Sequence, residues 1–224
     1  MKNLFLNPLL SPVYILLFLV FIFFLGELSG IPSLHYYKNL ALLETGTYYL
    51  YAISFCVIVY YFKDFYKTKM QKDYLLFVFL FLCALLREAG VQHWLTQTDT
   101  TAFKLRFFTN PNNPLSEKII SAFILITVAV VGIYLFFKYI RRIFKGFFAL
   151  NPMYWTIASL GGIGIVAKIA DRFPSNYSKF TGEYLTPDID KLFYLVEEGG
   201  EATLPVLFAI AVIQYHLLLK EKGK

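Results

Sequence analysis

Charge is the first thing this 224-residue chain lacks. Asp, Glu, Lys and Arg make up 16% of it, against about 25% in soluble globular domains. Histidine is scarcer, at three residues. That is too few for a bis-histidine di-haem centre, and no HExxH spacing for a zinc hydrolase is present. The two cysteines, Cys56 and Cys83, form no CxxC pair, which removes thiol–disulfide exchange of the thioredoxin kind. Both sit in apolar blocks, where a free Cys behaves as a small core residue. Motifs of common membrane enzymes are missing too. There is no GxSG of a rhomboid-type protease, no PSGH of a lipid phosphate phosphatase and no paired DxxDG of an alcohol phosphatidyltransferase. Glu197-Glu198 is followed by Gly-Gly-Glu-Ala, so the EExxxR of the CAAX-type proteases has no arginine here.

What the chain has instead is apolar residues, 58% of the total. They fall in blocks of about 20 residues, the length that crosses a hydrocarbon core of about 30 Å. A helix satisfies its own backbone in lipid, so each block predicts a helix. The spans read as 9–25, 45–62, 74–94, 119–137, 153–170 and 192–219. The expected fold is an all-α integral membrane protein, a bundle of about six transmembrane helices forming a single polytopic domain over 1–224. The first block is followed by Gly26-Glu27-Leu28-Ser29 and not by a small-residue cleavage site, so it reads as an uncleaved helix.

Loop charge orients this bundle. Lys2, Lys63, Lys67, Lys69, Lys72, Lys138, Arg141, Arg142, Lys145, Lys220, Lys222 and Lys224 fall on one side, twelve in all. Lys38, Lys104, Arg106, Lys118, Arg172, Lys179 and Lys191 fall on the other, seven in all. Positive charge marks the cytoplasmic side. Both termini therefore face the cytoplasm, and the expected location is the cytoplasmic (inner) membrane. The net charge of +6 is accounted for by this topology, not by a nucleic-acid footprint.

The outward connections are the longer ones. Thr96 to Glu117 and Arg172 to Lys191 read as structureless loops of the length that tends to be functional. Within the first, Asp99 to Phe108 predicts a short interfacial helix with Asp99 as N-cap. Thr109-Asn-Pro-Asn-Asn-Pro should end it, because residues before proline disfavour helix.

Nearly every ionisable residue within or bordering a span falls on the outward half. Such groups are costly in lipid and usually face the bundle interior in pairs. This predicts an outward-facing polar pocket. Arg87 is an anion clamp or a partner for a carboxylate, with Lys104, Arg106 and Arg172 as further anion-binding positions. Glu88, Asp171, Glu197, Glu198 and Glu201 are the candidate acids and bases. Glu197, Glu198 and Glu201 read as the opening of the sixth span, where the helix dipole tolerates acids. Gly199 and Gly200 between them would let a helix or a ligand approach closely. No motif specifies a cofactor. A divalent cation is the candidate, held by His93 with Glu197 and Glu201.

The resulting expectation is a protein that binds or processes a lipid or lipid-linked anionic substrate at the outer leaflet. Membrane lipids are the expected partners, and nucleic acid is not. A second reading is a non-catalytic subunit or sensor, whose basic cytoplasmic loops Lys63 to Lys72 and Lys138 to Lys145 dock an acidic protein partner. A third is a transporter, with the Gly161-Gly162-Ile163-Gly164 run in the fifth span as its breaking point or, more simply, as a close-packing face.

Overall fold

The computed structural model describes residues 4–28, 41–66, 68–91, 96 and 102–222, with the side chains of 25–28, 41–45 and 222 left out of the description. The fold is all-α, with no strand among the described residues. A 3-10 turn at Leu4–Leu6 precedes α1 (Leu10–Leu28) and α2 (Ala41–Tyr60), and a second 3-10 turn follows at Tyr61–Asp64. Then come α3 (Gln71–Glu88), the short α4 (Leu105–Thr109), α5 (Leu115–Phe148), α6 (Pro152–Thr181) and α7 (Pro187–Lys222). Among the described residues three helices, α5, α6 and α7, are long and apolar enough to cross a membrane, and α1 carries a shorter apolar stretch, Leu10–Phe24. Their length and composition suit membrane association.

The long helices correct the sequence reading at their ends. With 34, 30 and 36 residues, each is about 45 to 55 Å long at 1.5 Å per residue, well beyond the hydrocarbon thickness. The expected loop from Arg172 to Lys191 is mostly helix. α6 continues through Pro174 to Thr181 and ends on Gly182, whose φ of 76° gives the left-handed cap that glycine adopts without strain. Its N–H bonds to Ser178 O. α7 then begins at Pro187, a first-turn proline with no N–H to lose. At its other end α3 stops at Glu88, six residues short of the expected boundary, and Gly90 follows with φ of 76°. The interfacial helix is Leu105–Thr109 with Lys104 at its N-cap, and Asp99 lies outside the described residues.

The chain forms two compact units. The first comprises Met1–Tyr61 and Arg142–Lys224, the second Phe62–Arg141. In the first unit α7 is the central helix and packs against α6, α2 and α1. It is accordingly buried on several faces, through Leu195, Ala202, Leu207, Ala209, Ala211 and Val212. Close approach rests on glycine. A Cβ on Gly200 would lie 2.8 Å from Ala167 Cβ of α6, and one on Gly199 would touch Leu19 and Ile22 of α1 at 3.4 Å. So Gly199 and Gly200 are where neighbouring helices approach. Gly161 and Gly162 are not, because a Cβ on either meets nothing within 4 Å, and Gly164 makes only an ordinary contact with Leu204.

The turn between α5 and α6 is built by specific contacts. Asn151 caps α6, accepting from Met153 N at 3.1 Å and Tyr154 N at 3.4 Å. Trp155 Nε1 donates to Phe147 O at 2.8 Å, and the two rings stack at 4.4 Å. Gly146 faces the Tyr154 ring so closely that a Cβ would overlap it.

In the second unit α3 and α5 supply Phe81, Leu135 and Tyr139 to the core, with Phe65 stacked on Tyr74 at 3.8 Å.

Candidate functional site

The C-terminal half of α6 gathers two of the expected charges, Asp171 and Arg172, together with Lys168. Ile165, Lys168, Ile169, Arg172, Phe173 and Asn176 line a shallow groove of about 420 Å³. They form one stripe because helical positions three and four apart share a face. Asp171 stands beside it. Its Oδ2 accepts a bond from Lys168 Nζ one turn back and lies 3.5 Å from Arg172 Nε. The cluster carries two cations and one anion. Lys168 and Arg172 remain more than half exposed, so both ammonium and guanidinium have donors left to offer. Asp171 sits ten residues before the helix end and is held between the two cations. Phe173 fixes the end of the groove by stacking on Phe193 of α7 at 4.4 Å.

Glu197, Glu198 and Glu201 are half-buried on α7. The expectation that they open this helix is corrected: it begins at Pro187, and its first-turn acids are Asp188 and Asp190. At about 1.5 Å per residue the Glu group lies about 15 Å from the helix start, and the dipole acts only within the first turn. What flanks these carboxylates is the Gly199–Gly200 contact with α1 and α6. No protein-family model matches the chain, and neither does a curated protein or a solved structure.

The remaining site residues belong to the second unit. Arg87 Nη2 lies 3.3 Å from Glu88 Oε1, with the Arg side chain 55% exposed and the Glu 18%. Both occupy the last turn of α3, so Arg87 is not carried deep into the helix as the longer span had implied. Lys104 and Arg106 are exposed at the start of α4. Thus Arg87, Glu88, Lys104 and Arg106 fall in one unit, and Asp171, Arg172 and the three glutamates in the other. Among the described residues no group of three His, Cys, Asp or Glu is placed to hold a metal ion. His93 lies outside those residues.

Three polar constellations were not anticipated from sequence. Asp73 is buried at the start of α3. It accepts from Tyr139 Oη at 2.5 Å, Lys138 Nζ at 2.7 Å and Tyr134 Oη at 3.4 Å. Lys138, expected as a cytoplasmic docking charge, is therefore engaged by the protein itself. In the first unit Ser11 Oγ lies 2.5 Å from Thr156 Oγ1, which bonds Gln214 Oε1 at 2.7 Å. Gln214 Nε2 then donates to Phe5 O at 2.9 Å. All three side chains are fully buried, and the chain ties α1, α6 and α7 together.

The third constellation is unsatisfied. Asn113 Oδ1, Glu117 Oε2 and Ser121 Oγ are buried with no hydrogen-bond partner. A buried acceptor left unmade costs about 1–3 kcal/mol. The dipole of α5 returns only about 0.3–1 kcal/mol to Glu117 in its first turn, so it does not offset the column.

Proposed function

We propose that this chain is a multi-pass inner-membrane protein, with six spans and both termini cytoplasmic, that holds an anionic lipid in the α6 groove. The observation that carries the reading is the order of residues along that groove. Ile165 and Ile169 lie toward the helix centre, Lys168 and Arg172 are interleaved toward its C-terminal end, and Asn176 is outermost. Over the roughly 16 Å spanned at 1.5 Å per residue, Ile165, Ile169 and Phe173 alternate with Lys168, Arg172 and Asn176, so an acyl chain and an anionic headgroup both find partners along the stripe. The positive-inside orientation puts the charged end of the stripe at the outer leaflet. Arg172 offers a planar fork suited to a phosphate, and Lys168 a point charge. Asp171 orients both.

This reading is one of binding. Of the acids expected to transfer protons, Asp171 is the one seen beside the groove, and it is held by Lys168 and Arg172. The transporter alternative is less well supported, since α6 runs unbroken through Gly161–Gly164 and α7 through Pro205, whereas transporter sites favour discontinuous helices.

The test is native mass spectrometry of the purified protein in detergent, comparing wild type with the Lys168→Gln/Arg172→Gln double variant. Each cation near a lipid surface contributes about 1 kcal/mol, so retention of an anionic lipid should fall about 30-fold in the pair. Equal retention by a folded double variant would refute the groove as the lipid site.

A further inference from the structure

We propose that Asn113, Glu117 and Ser121 form a binding site for a hard metal cation at the N-terminal end of α5. This proposal is independent of the lipid groove, which lies in the other unit. The argument begins with spacing. Positions 113, 117 and 121 recur every four residues, so the last two share a face of α5 (Leu115–Phe148) and Asn113 leads into it. Asn113 and Ser121 are 4% and 0% exposed. All three unpartnered atoms are oxygens: an amide carbonyl, a carboxylate and a hydroxyl.

The surroundings make these oxygens available. Asn113 Nδ2 donates to Phe107 O at 2.7 Å, which fixes the amide and turns Oδ1 away from that bond. Lys118, the cation next in sequence to Glu117, is committed elsewhere, because its Nζ donates to Asn110 O at 2.7 Å. Glu117 therefore keeps a buried oxygen that its neighbouring ammonium does not neutralise. A buried carboxylate oxygen is stable only when paired, hydrogen-bonded or metal-bound. With no nitrogen or sulfur among the donors, the set suits a hard ion such as Ca²⁺, Mg²⁺ or Na⁺ and not zinc or copper. Glu117 and Ser121 are separated by about 6 Å of helix rise, a gap that one ion held by both side-chain oxygens spans, with water completing its shell.

The test uses full-length protein in detergent, stripped with a chelator and titrated with CaCl₂, MgCl₂ or NaCl against choline chloride at equal ionic strength. Thermal unfolding gives the midpoint, and elemental analysis after dialysis gives ion content per chain. One of the three ions should raise the midpoint saturably with about one ion bound per chain. Glu117→Gln should abolish the response, and Ser121→Ala should weaken it at least several-fold. If no ion exceeds the choline control, waters fill the column and the proposal is wrong. It is equally wrong if both variants respond as wild type does. Should Glu117→Gln fail to fold, Ser121→Ala decides, since it removes only a hydroxyl.

Discussion

At the scale of single residues, Asp73 shows what sequence leaves hidden. Its partners Tyr134, Lys138 and Tyr139 lie more than sixty positions along the chain, and no local spacing announces them. Removing the carboxylate strands the buried Tyr139 hydroxyl. Asp73→Ala should cost about 2–4 kcal/mol, as hydrogen bonds to a charged group contribute about 1.5–3 kcal/mol each. Lys138→Met should cost clearly less than Asp73→Ala, because that side chain is 38% exposed and solvent screens the pair. Denaturant titration of the purified protein would rank the two. If Lys138→Met proved the more damaging, the tyrosines would not be what holds Asp73. The Ser11–Thr156–Gln214 chain was hidden for a related reason. Neutral polar residues scattered in apolar blocks set no pattern, whereas Asp171 and Arg172 stood out because charge in such blocks is rare.

At the scale of elements, hydropathy located every long helix but misplaced its ends. An apolar run reports where hydrocarbon begins and stops, and a helix does not stop there. Residues 172–181 were read as loop for this reason, so Phe173 and Asn176 were not named beside Arg172. Glycine runs misled in the same way, because a sequence shows which residues are small and not what they face. The contrast is measurable. Gly200→Ala should destabilise by about 1–3 kcal/mol through overpacking against Ala167. Gly161→Ala and Gly162→Ala meet open space and should be neutral or stabilise by up to about 1 kcal/mol through helix propensity. Equal effects at positions 200 and 161 would mean that α6 and α7 do not cross at Gly200.

At the scale of the whole molecule, the question is how many helices cross. Length and composition qualify α5, α6 and α7. The charge asymmetry of the loops argues for all six, since the Lys63–Lys72 loop is basic and belongs on the same side as the Lys138–Lys145 segment. α3 is the discriminating element: its apolar centre runs from Tyr74 to Leu86, with Lys72, Asp73, Arg87 and Glu88 confined to its ends. That centre covers about 20 Å at 1.5 Å per residue, short of a hydrocarbon core of about 30 Å, so α3 crosses only if Lys72 and Arg87 reach the two interfaces along their own stems. Single cysteines at Thr68, Asn112, Leu150 and Glu183, in a chain whose Cys56 and Cys83 are replaced by alanine, would read the topology with a membrane-impermeant maleimide. Six crossings expose positions 112 and 183 in intact cells and shield 68 and 150 until lysis. If α5, α6 and α7 alone cross, 150 still opposes 112, but 68 labels together with 112. Labelling at 68 relative to 112 therefore separates the two architectures. It also determines whether the basic loop before α3 can act as a cytoplasmic anchor.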